Sequence, residues 1–408
     1  MRCRFCQAPL EHLVMDLGVQ AFSNRLLAPK DLERPEARAP LRVYFCSQCL
    51  LVQVADWHVA RDVFTPDYVY FSSYVPSWVE HARRYVDMAC RRFRLGPESL
   101  VVEIASNDGY LLQHVVARGI PCLGVDPAAD AAAAARAKGV ETHVGFFGRD
   151  TARRIAAERG QADLLLGNNV FAHVPDPNDF AAGLALMLKP TGVLTLEFPH
   201  VARMIEQVQF DTIYHEHFSY FSLHAARRIL EAHGLFVFDV EELPTHGGSL
   251  RLYAGRDGAS ARGASPAVAD LLSRERALGL DRFEGYRELS GKAAAIRESF
   301  VSLVKEAKAS GKRIAGFGAA AKGNTFLNYC GIGADAIDFV ADDTPAKQGK
   351  FLPQSHIPVV PEGKIREARP DFIVILPWNV KDEIARKLGY IRDWGGRFVT
   401  CIPRLEVF

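Results

Sequence analysis

The 408-residue chain has the composition of a folded protein with two or three domains, at roughly 100–200 residues per domain. Hydrophobic residues make up 49%, and 49 Lys and Arg balance 48 Asp and Glu, which argues against disorder and against a dedicated binder of polymeric nucleic acid. Without a long apolar run or a signal-peptide core, we expect a cytoplasmic protein that does not span a membrane.

Two cysteine pairs near the start of the chain predict a structural zinc site. Cys3 and Cys6 form one Cys-x-x-Cys pair, and Cys46 and Cys49 form the other. Two intervening residues let one tight turn present both sulfurs to a tetrahedral metal, and four thiolates leave no open coordination position. Redox-active pairs are the alternative. The segment between the pairs, about residues 10–40, is expected to loop out. The other cysteines predict small buried side chains: Cys90, Cys122, Cys330 and Cys401.

Residues 100–126 have the pattern of a strand, a turn, a helix and a second strand. The turn carries four residues at alternating positions: Glu103, Ala105, Asn107 and Gly109. Small residues let a ligand approach the backbone, and an acid ending the second strand, here Asp126 before Pro127, can accept ribose hydroxyls. The spacing resembles motif I of class I S-adenosylmethionine methyltransferases, with Ala and Asn replacing two usual glycines. A dinucleotide-binding domain with a degenerate turn is the alternative.

The elements that follow continue a doubly wound sheet. Asn168 and Asn169 end the next strand, where amides are expected at the methionine end of such a cofactor site. Residues 186–197 predict a helix, a turn at Gly192 and a strand. Residues 237–241 and 250–254 predict closing antiparallel strands.

Several polar side chains are expected at the sheet edge where α/β proteins bind ligands. His173 follows the strand ending in amides, and Tyr214, Glu216 and His217 lie in a polar-aromatic run before a helix predicted near Leu223. Histidine titrates near neutrality, so it can remove a proton, and a neighbouring carboxylate can orient it. The alternatives are a metal site and histidines that are satisfied within the loop.

Two further histidines allow a non-catalytic interpretation. His215 is equally well explained as a satisfied loop residue. His246 opens a His-Gly-Gly-Ser run ending at Ser249, between the last two strands of this region. It is a candidate for the substrate rim or simply part of a turn.

The last third of the chain carries a second nucleotide-binding pattern. A small-residue linker begins at Asp257, residues 266–310 predict charged helices, and residues 313–324 predict a strand, a glycine turn and a helix. Lys322, just inside that helix, suits a phosphate better than a nicotinamide cofactor. NAD binding and a purely structural domain are the alternatives.

As an ordered set, these motifs resemble one family over essentially the whole chain. The set comprises the cysteine pairs, Glu-Ile-Ala-Ser-Asn-Asp-Gly, Asn-Val-Phe-Ala-His-Val-Pro-Asp, Tyr-His-Glu-His-Phe-Ser-Tyr-Phe-Ser and His-Gly-Gly-Ser-Leu-Arg. It looks like the zinc-containing C-methyltransferases of nucleotide-linked 4-keto-6-deoxysugars, of the tetronitrose C-3' type.

The resemblance implies an α/β fold in three parts. Residues 1–66 would form a small zinc-binding domain, residues 67–256 a class I methyltransferase Rossmann-like domain, and residues 257–408 a second Rossmann-like domain that holds the nucleotide of the substrate. The implied cofactors are S-adenosylmethionine and structural Zn²⁺. The implied partner is a nucleotide-linked 4-keto-deoxysugar, and the chain would be a monomer or weak oligomer.

The resemblance also assigns roles to residues. His217 would be the base, with Glu216 and Tyr214 beside it and His173 near the sugar. The cofactor would contact Glu103, Ala105, Asn107, Gly109, Asp126, Pro127, Asn168 and Asn169. The substrate would contact Tyr68, His246, Ser249, Gly318, Lys322, Asn324, Asp342 and Lys347.

The expected reaction is methylation of carbon C-3'. The base would remove a proton next to the ketone, and the enolate would attack the sulfonium methyl. Methylation at C-5', or on an oxygen or nitrogen of a nucleotide sugar, is the alternative within enzymes. A zinc-knuckle RNA methyltransferase is disfavoured by the net charge of +1.

Overall fold

The computed structural model describes residues 1–55, 71–256 and 263–408. Tyr68 and the predicted domain junction at 66–67 lie outside these residues. The strands are β1 His12–Ala21, β2 Arg38–Phe45, β3 Val52–Val54, β4 Val101–Ile104, β5 Cys122–Asp126, β6 Thr142–Val144, β7 Ala162–Asn168, β8 Leu188–Pro199, β9 Ser219–Tyr220, β10 Leu235–Leu243, β11 Ser249–Arg256, β12 Ile314–Phe317, β13 Val340–Ala341, β14 Val359–Val360, β15 Phe372–Ile375, β16 Arg397–Thr400 and β17 Glu406–Val407.

Helices cover the faces of these strands. They are α1 Pro76–Phe93, α2 Gln113–Val116, α3 Ala129–Ala137, α4 Arg149–Arg159, α5 Pro177–Met187, α6 Val201–Glu206, α7 Leu223–Glu231, α8 Pro266–Ala277, α9 Leu289–Ala309, α10 Ala321–Cys330, α11 Gly363–Ala368 and α12 Lys381–Lys387. Across the part of the chain that the structure describes, each helix is too short or too polar to cross a membrane.

The first sheet has the order β1-β2-β3-β9 and carries the cysteine pairs at one end. The predicted excursion over residues 10–40 is only partly a loop, because it contains β1 and the start of β2, which pair antiparallel with Ala21 opposite Arg38. The last strand, β9, comes from far along the chain and pairs antiparallel with β3. This sheet is therefore completed by a segment from the middle of the sequence.

The second sheet has the order β10-β11-β8-β7-β4-β5-β6. Strands β6, β5, β4, β7 and β8 run parallel, and β11 is antiparallel to β8 and to β10. The closing antiparallel strands are thus confirmed. The order reverses between β4 and β7, which places a ligand-binding crevice at their carboxyl ends.

Three local predictions in this region differ from the structure. The helix after Gly109 shortens to the single turn of α2. The turn at Gly192 is an irregularity inside β8, where pairing with β7 jumps from Leu188 to Val193. Cys90 and Cys122 are only partly buried, whereas Cys330 and Cys401 are buried as expected.

The third sheet has the order β14-β13-β12-β15-β16-β17, parallel apart from β17. It confirms the second Rossmann-like pattern. Its helices α9 and α10 share a hydrophobic core with the first sheet, where Phe45 contacts Tyr286 and Phe300 contacts Phe326. Apolar burial of this kind is the main stabilising term in folding, so the first and third sheets stabilise each other.

Candidate functional site

The four paired cysteines converge on one point. Their sulfur atoms all lie within 4.8 Å of one another. The Sγ atoms of Cys3 and Cys49 are 3.4 Å apart, and those of Cys6 and Cys46 are 3.5 Å apart. A tetrahedral zinc with bonds of about 2.3 Å has sulfur–sulfur edges of about 3.8 Å, so the donor set fits structural zinc.

Two matching turns present these sulfurs, and we call them together the zinc knuckle (Cys3–Ala8 and Cys46–Leu51). In each turn the amide of the first cysteine donates to a carbonyl five residues on, at 2.8 Å in one and 2.9 Å in the other. Gln7 and Leu50 take equivalent positive φ angles of 62° and 67°. Hydrogen bonds from Cys46 and Cys49 lower the pKa of Cys3, whereas the hydrogen bond with Cys3 raises the pKa of both partners, so the close sulfurs favour one thiolate among these three. Among the described residues this is the one His, Cys, Asp or Glu cluster with such geometry, so the histidine-metal alternative has no support.

The loop after β4 has the backbone that the motif requires. Ala105, Asn107 and Gly109 have φ angles of 56°, 48° and 74°. Two of them are not glycine, and a left-handed non-glycine residue costs about 1–2 kcal/mol, so this loop retains strain that a binding role explains. Glu103 is buried in β4, and its burial beside Asp126 raises its pKa well above the usual range.

Asp126 closes this loop at the end of β5. Its Oδ2 accepts the Asn107 amide at 2.8 Å, and its Oδ1 accepts the Ala128 amide at 2.8 Å. Pro127 follows in a partly buried bend. Each carboxylate oxygen retains a second lone pair, so Asp126 can still accept ribose hydroxyls.

The amide pair lies at the carboxyl end of β7, as expected. Asn168 is buried, and neither atom of its side-chain amide has a partner among the described residues. Asn169, at φ 54°, places its Nδ2 2.8 Å from Nε2 of His246. An unpartnered buried amide at the crevice indicates a missing polar ligand, so the residues here fit the methionine end of S-adenosylmethionine.

Three of the predicted catalytic side chains form a contiguous cluster. The Nδ1–H of His217 donates to the Thr212 carbonyl at 2.8 Å, and the Tyr214 hydroxyl lies 2.6 Å from Nε2. A carbonyl only accepts, so Nδ1 carries the proton and Nε2 of the neutral ring accepts from Tyr214. The His173 ring meets the His217 ring edge-on at 4.7 Å.

The surroundings keep both of these histidines neutral. Burial lowers the pKa of His173 to about 4. Burial also lowers the pKa of His217 well below its ordinary value, and the neighbouring His173 and Lys322 act in the same direction. A neutral imidazole can accept a proton, so His217 has the charge state of a base at neutral pH.

Glu216 and His215 point away from this cluster. Glu216 is buried, and its Oε2 accepts from the Asn24 side chain at 2.6 Å. His215 is also buried, packs on Phe22 at 4.7 Å and donates to the Ala39 carbonyl at 3.2 Å. His215 therefore fits the non-catalytic interpretation, in which its ring is hydrogen-bonded by the protein itself.

Residues 245–248 bear on both interpretations of His246, as part of a turn and as a candidate for the substrate rim. His246 is held at φ 54°, and Ser249 donates to the Thr245 carbonyl at 3.0 Å, so the run is a turn. The His246 ring nevertheless packs edge-on against Trp78 at 4.7 Å, and burial lowers its pKa to about 4. His246 therefore lies within the crevice and carries no charge at neutral pH.

The third sheet contributes a cation to the same crevice. Lys322 donates from Nζ to Asn379 at 2.8 Å and lies over the Trp378 ring, 4.8 Å from its centre. Trp378 donates to the buried carboxyl of Asp211 at 2.6 Å. Burial raises the pKa of Asp211 to about 6, and burial lowers the pKa of Lys322. The charge of Lys322 also lies close enough to His217 and His246 to lower the pKa of both.

The other residues that were predicted to contact the nucleotide lie around the loop that follows β12 in the third sheet. Asp342 accepts the Ala319 amide at 2.7 Å, and Lys347 donates to the Ala319 carbonyl at 2.9 Å. Gly318 has φ 88°, and a Cβ there would lie 2.5 Å from Pro377. Asn324 is fully buried in α10. Asp342 closes its loop as Asp126 closes the motif loop.

Sequence reasoning missed Asn24, Asp211, Trp378 and Asn379. Asn24 lies in the segment that was expected to loop out, so its polar side chain had no predicted neighbour. Trp378 and Asn379 directly follow strand β15, and the rule that ligands meet the carboxyl ends of strands could have selected them.

Three protein families match successive segments of this chain. The "Methyltransferase domain" family matches residues 78–240, the "C-methyltransferase C-terminal domain" family matches residues 244–403, and a family described as a zinc binding domain matches residues 3–64. C-methyltransferase NovU of Streptomyces niveus is 36% identical and aligns over 99% of this chain and 96% of its own length.

Other relatives match a smaller share of the chain. A ubiquinone biosynthesis O-methyltransferase of Rhodopseudomonas palustris is 30% identical, over 27% of this chain and 46% of its own length. A solved S-adenosylmethionine-dependent methyltransferase from Clostridium acetobutylicum is 11% identical with a TM-score of 0.36, covering 44% of this chain and 92% of its own.

The buried carboxyl of Glu216 predicts a pH effect on stability. Burial raises its pKa from 4.5 to about 7. The native state therefore holds this proton more tightly than the unfolded chain, and stability falls as pH rises through that interval. Glu216→Gln stays neutral and can still accept from Asn24. Between about pH 5 and pH 8.5, the wild-type protein should lose up to about 3 kcal/mol relative to the variant in urea unfolding.

The matched control is Glu288→Gln, because Glu288 is exposed and its ion pair with Lys292 lowers its pKa, which keeps its titration below this pH range. Its unfolding should follow the wild-type pH dependence. Parallel pH curves for the wild type and Glu216→Gln would contradict the raised pKa.

Proposed function

The chain belongs to the family of S-adenosylmethionine-dependent C-methyltransferases, and we propose that it methylates C-3' of a nucleotide-linked 4-keto-6-deoxysugar. The observation that carries this proposal is the neutral, oriented imidazole of His217, which contacts His173 after β7 and whose pKa is lowered in part by the charge of Lys322. A base facing a cation suits the removal of a carbon-bound proton with charge forming on a nearby oxygen.

The proposed reaction begins at the carbon next to the ketone. A carbon–hydrogen bond there breaks, its proton passes to His217, and its electron pair spreads onto the carbonyl oxygen as an enolate. S-adenosylmethionine, when bound, supplies an electrophilic methyl group for the enolate carbon and is left as a neutral thioether. The chain's residues must mainly align base, carbon and methyl group.

Tyr214 is proposed to connect the base to the substrate. Its hydroxyl occupies the lone pair of His217 Nε2 at 2.6 Å. We assign it the passage of the substrate proton to Nε2, because that nitrogen has no other free lone pair. The Thr212 carbonyl then stabilises the imidazolium through Nδ1–H.

Lys322 is proposed to face the developing enolate oxygen. The positive charge of Lys322 lowers the pKa of both His217 and His246, which supports a position beside the base. A cation aimed at an oxygen that becomes negative stabilises the transition state more than the ground state. Lys347, beside the Gly318 loop, would then contact the nucleotide end.

An O-methyltransferase is the second candidate, favoured by the similarity of part of the chain to a ubiquinone biosynthesis O-methyltransferase. That similarity covers 27% of the chain, whereas the C-methyltransferase relative aligns over 99%. O-methylation would not require proton loss from carbon. Exchange of a substrate carbon-bound hydrogen with deuterated water therefore separates the two.

His217→Ala tests the base directly. We expect S-adenosylmethionine affinity within about twofold of wild type, because the motif loop and the amide pair are untouched. Solvent deuterium exchange at C-3' and methyl transfer should each fall by at least about 100-fold, the usual contribution of a general base. Calorimetry and NMR with a nucleotide 4-ketosugar measure these quantities.

His215→Gln is the matched control, since this neighbour can keep its bond to the Ala39 carbonyl and should remain active. Undiminished turnover of His217→Ala would remove His217 from the mechanism.

Lys322→Gln separates two roles for this lysine. If Lys322 stabilises the enolate, C-3' exchange should fall about 100-fold or more, while nucleoside diphosphate affinity stays within about threefold. Lys347→Gln should show the reverse pattern. A tenfold weaker nucleotide affinity with normal exchange in Lys322→Gln would contradict the enolate role and assign Lys322 to the diphosphate.

A further inference from the structure

The segment that carries the proposed base pairs with the sheet that carries the zinc knuckle. Strand β9 begins two residues after His217 and is the edge strand paired with β3. Gln53 pairs with Ser219, and the Val54 amide donates to the Phe218 carbonyl at 3.0 Å. The segment that carries His217 is therefore held by the backbone of the zinc-binding sheet.

Gln53 links this strand pair to a zinc ligand. Its Nε2 donates to the sulfur of Cys3 at 3.1 Å, and its Oε1 accepts the Arg4 amide at 2.9 Å. The side chain is 1% exposed. A buried amide with both ends bonded has a fixed orientation, so the position of the Cys3 sulfur is coupled to the position of β3.

Arg4 extends the link to the second histidine segment. It lies between the cysteines of the first pair and donates to the Pro175 carbonyl at 3.0 Å and to the Val54 carbonyl at 2.8 Å. Its guanidinium also lies over the Phe218 ring, 5.2 Å from its centre. Pro175 follows His173 by two residues and Phe218 follows His217 directly, so one buried side chain contacts both histidine segments.

Physical chemistry explains why such an anchor is needed. A catalytic group on a loop is productive only when neighbouring residues hold it within about 0.5 Å of the working position. The edge strand β9 has two residues, too few to be stable alone. Four thiolates around Zn²⁺ carry a net charge of about −2, which also favours a buried arginine beside them.

We propose that the zinc knuckle holds the His217 segment in its working position, with Gln53 and Arg4 as positioning residues. The structural part concerns the order of residues 217–220. The kinetic part rests on the proposed function of His217.

The test compares Gln53→Leu with Gln20→Leu. Gln20 is equally buried in the same sheet, but its side chain donates to the Leu17 carbonyl, away from the zinc knuckle and β9. In Gln53→Leu, amide hydrogen exchange of the peptide covering residues 210–222 should rise at least tenfold. Methyl transfer should fall at least tenfold in kcat, with S-adenosylmethionine affinity unchanged. Gln20→Leu should match wild type in all three.

Arg4→Gln gives a second test that does not remove Gln53. Faster exchange is expected in both residues 170–176 and residues 210–222, because Arg4 contacts both segments. Chelation of zinc from the wild-type protein should accelerate exchange in the same two segments before the methyltransferase sheet opens.

If residues 210–222 exchange at the wild-type rate in both Gln53→Leu and Arg4→Gln, the inference is overturned. Equal acceleration in Gln20→Leu would overturn it as well. An active His217→Ala would disprove the proposed base, yet the predicted exchange pattern would still test the anchoring of this segment.

Discussion

The hydrogen bond from Nδ1 of His217 to the Thr212 carbonyl is the contact on which the rest of the site depends. It fixes the tautomer, so the lone pair on Nε2 faces Tyr214 and the crevice. Burial and the nearby Lys322 keep the ring neutral. The segments on both sides of this bond are tied to different parts of the fold: the Asp211 carboxyl accepts from the Trp378 side chain after β15, and the Phe218 carbonyl accepts from the Val54 amide in β3.

This arrangement explains why the candidate site draws residues from three sheets. The second sheet supplies the motif loop and the amide of Asn168, and the domain of the third sheet supplies Lys322, whose charge lowers the pKa of His217 and His246. The first sheet supplies Asn24 to Glu216 and holds β9 in place. A reaction that forms an enolate needs a base, a cation and little water, and residues from separate sheets can enclose the ligand from several sides.

Local patterns in the sequence were enough to predict the zinc ligands and the motif loop. Cys3 and Cys6 are brought together by one short turn. Asn107 and Asp126 are brought together by one strand–helix–strand unit, and the geometry of both depends on residues that are close in sequence. The closing antiparallel strands followed from the same regular pattern. The assignment of His217 as a base came from family resemblance and remains a prediction.

Contacts between distant segments could not be predicted in this way. Asn24 meets Glu216 across 192 positions and Trp378 meets Asp211 across 167, and neither pair has a periodic signal. Lys322 was expected to face the nucleotide because it opens a helix. Its neighbours Asn379 and Asp211 come from other elements, so the packing of the domains decides what this charge faces.

The most direct test of the central claim is the position of the new methyl group. The protein would be incubated with S-adenosylmethionine and a panel of nucleotide-linked 4-ketosugars in deuterated water, and the products assigned by NMR. The proposal predicts a new carbon–carbon bond at C-3', next to the ketone, with loss of a hydrogen from that carbon. A methyl group on oxygen or nitrogen, with the hydrogen at C-3' retained, would contradict it.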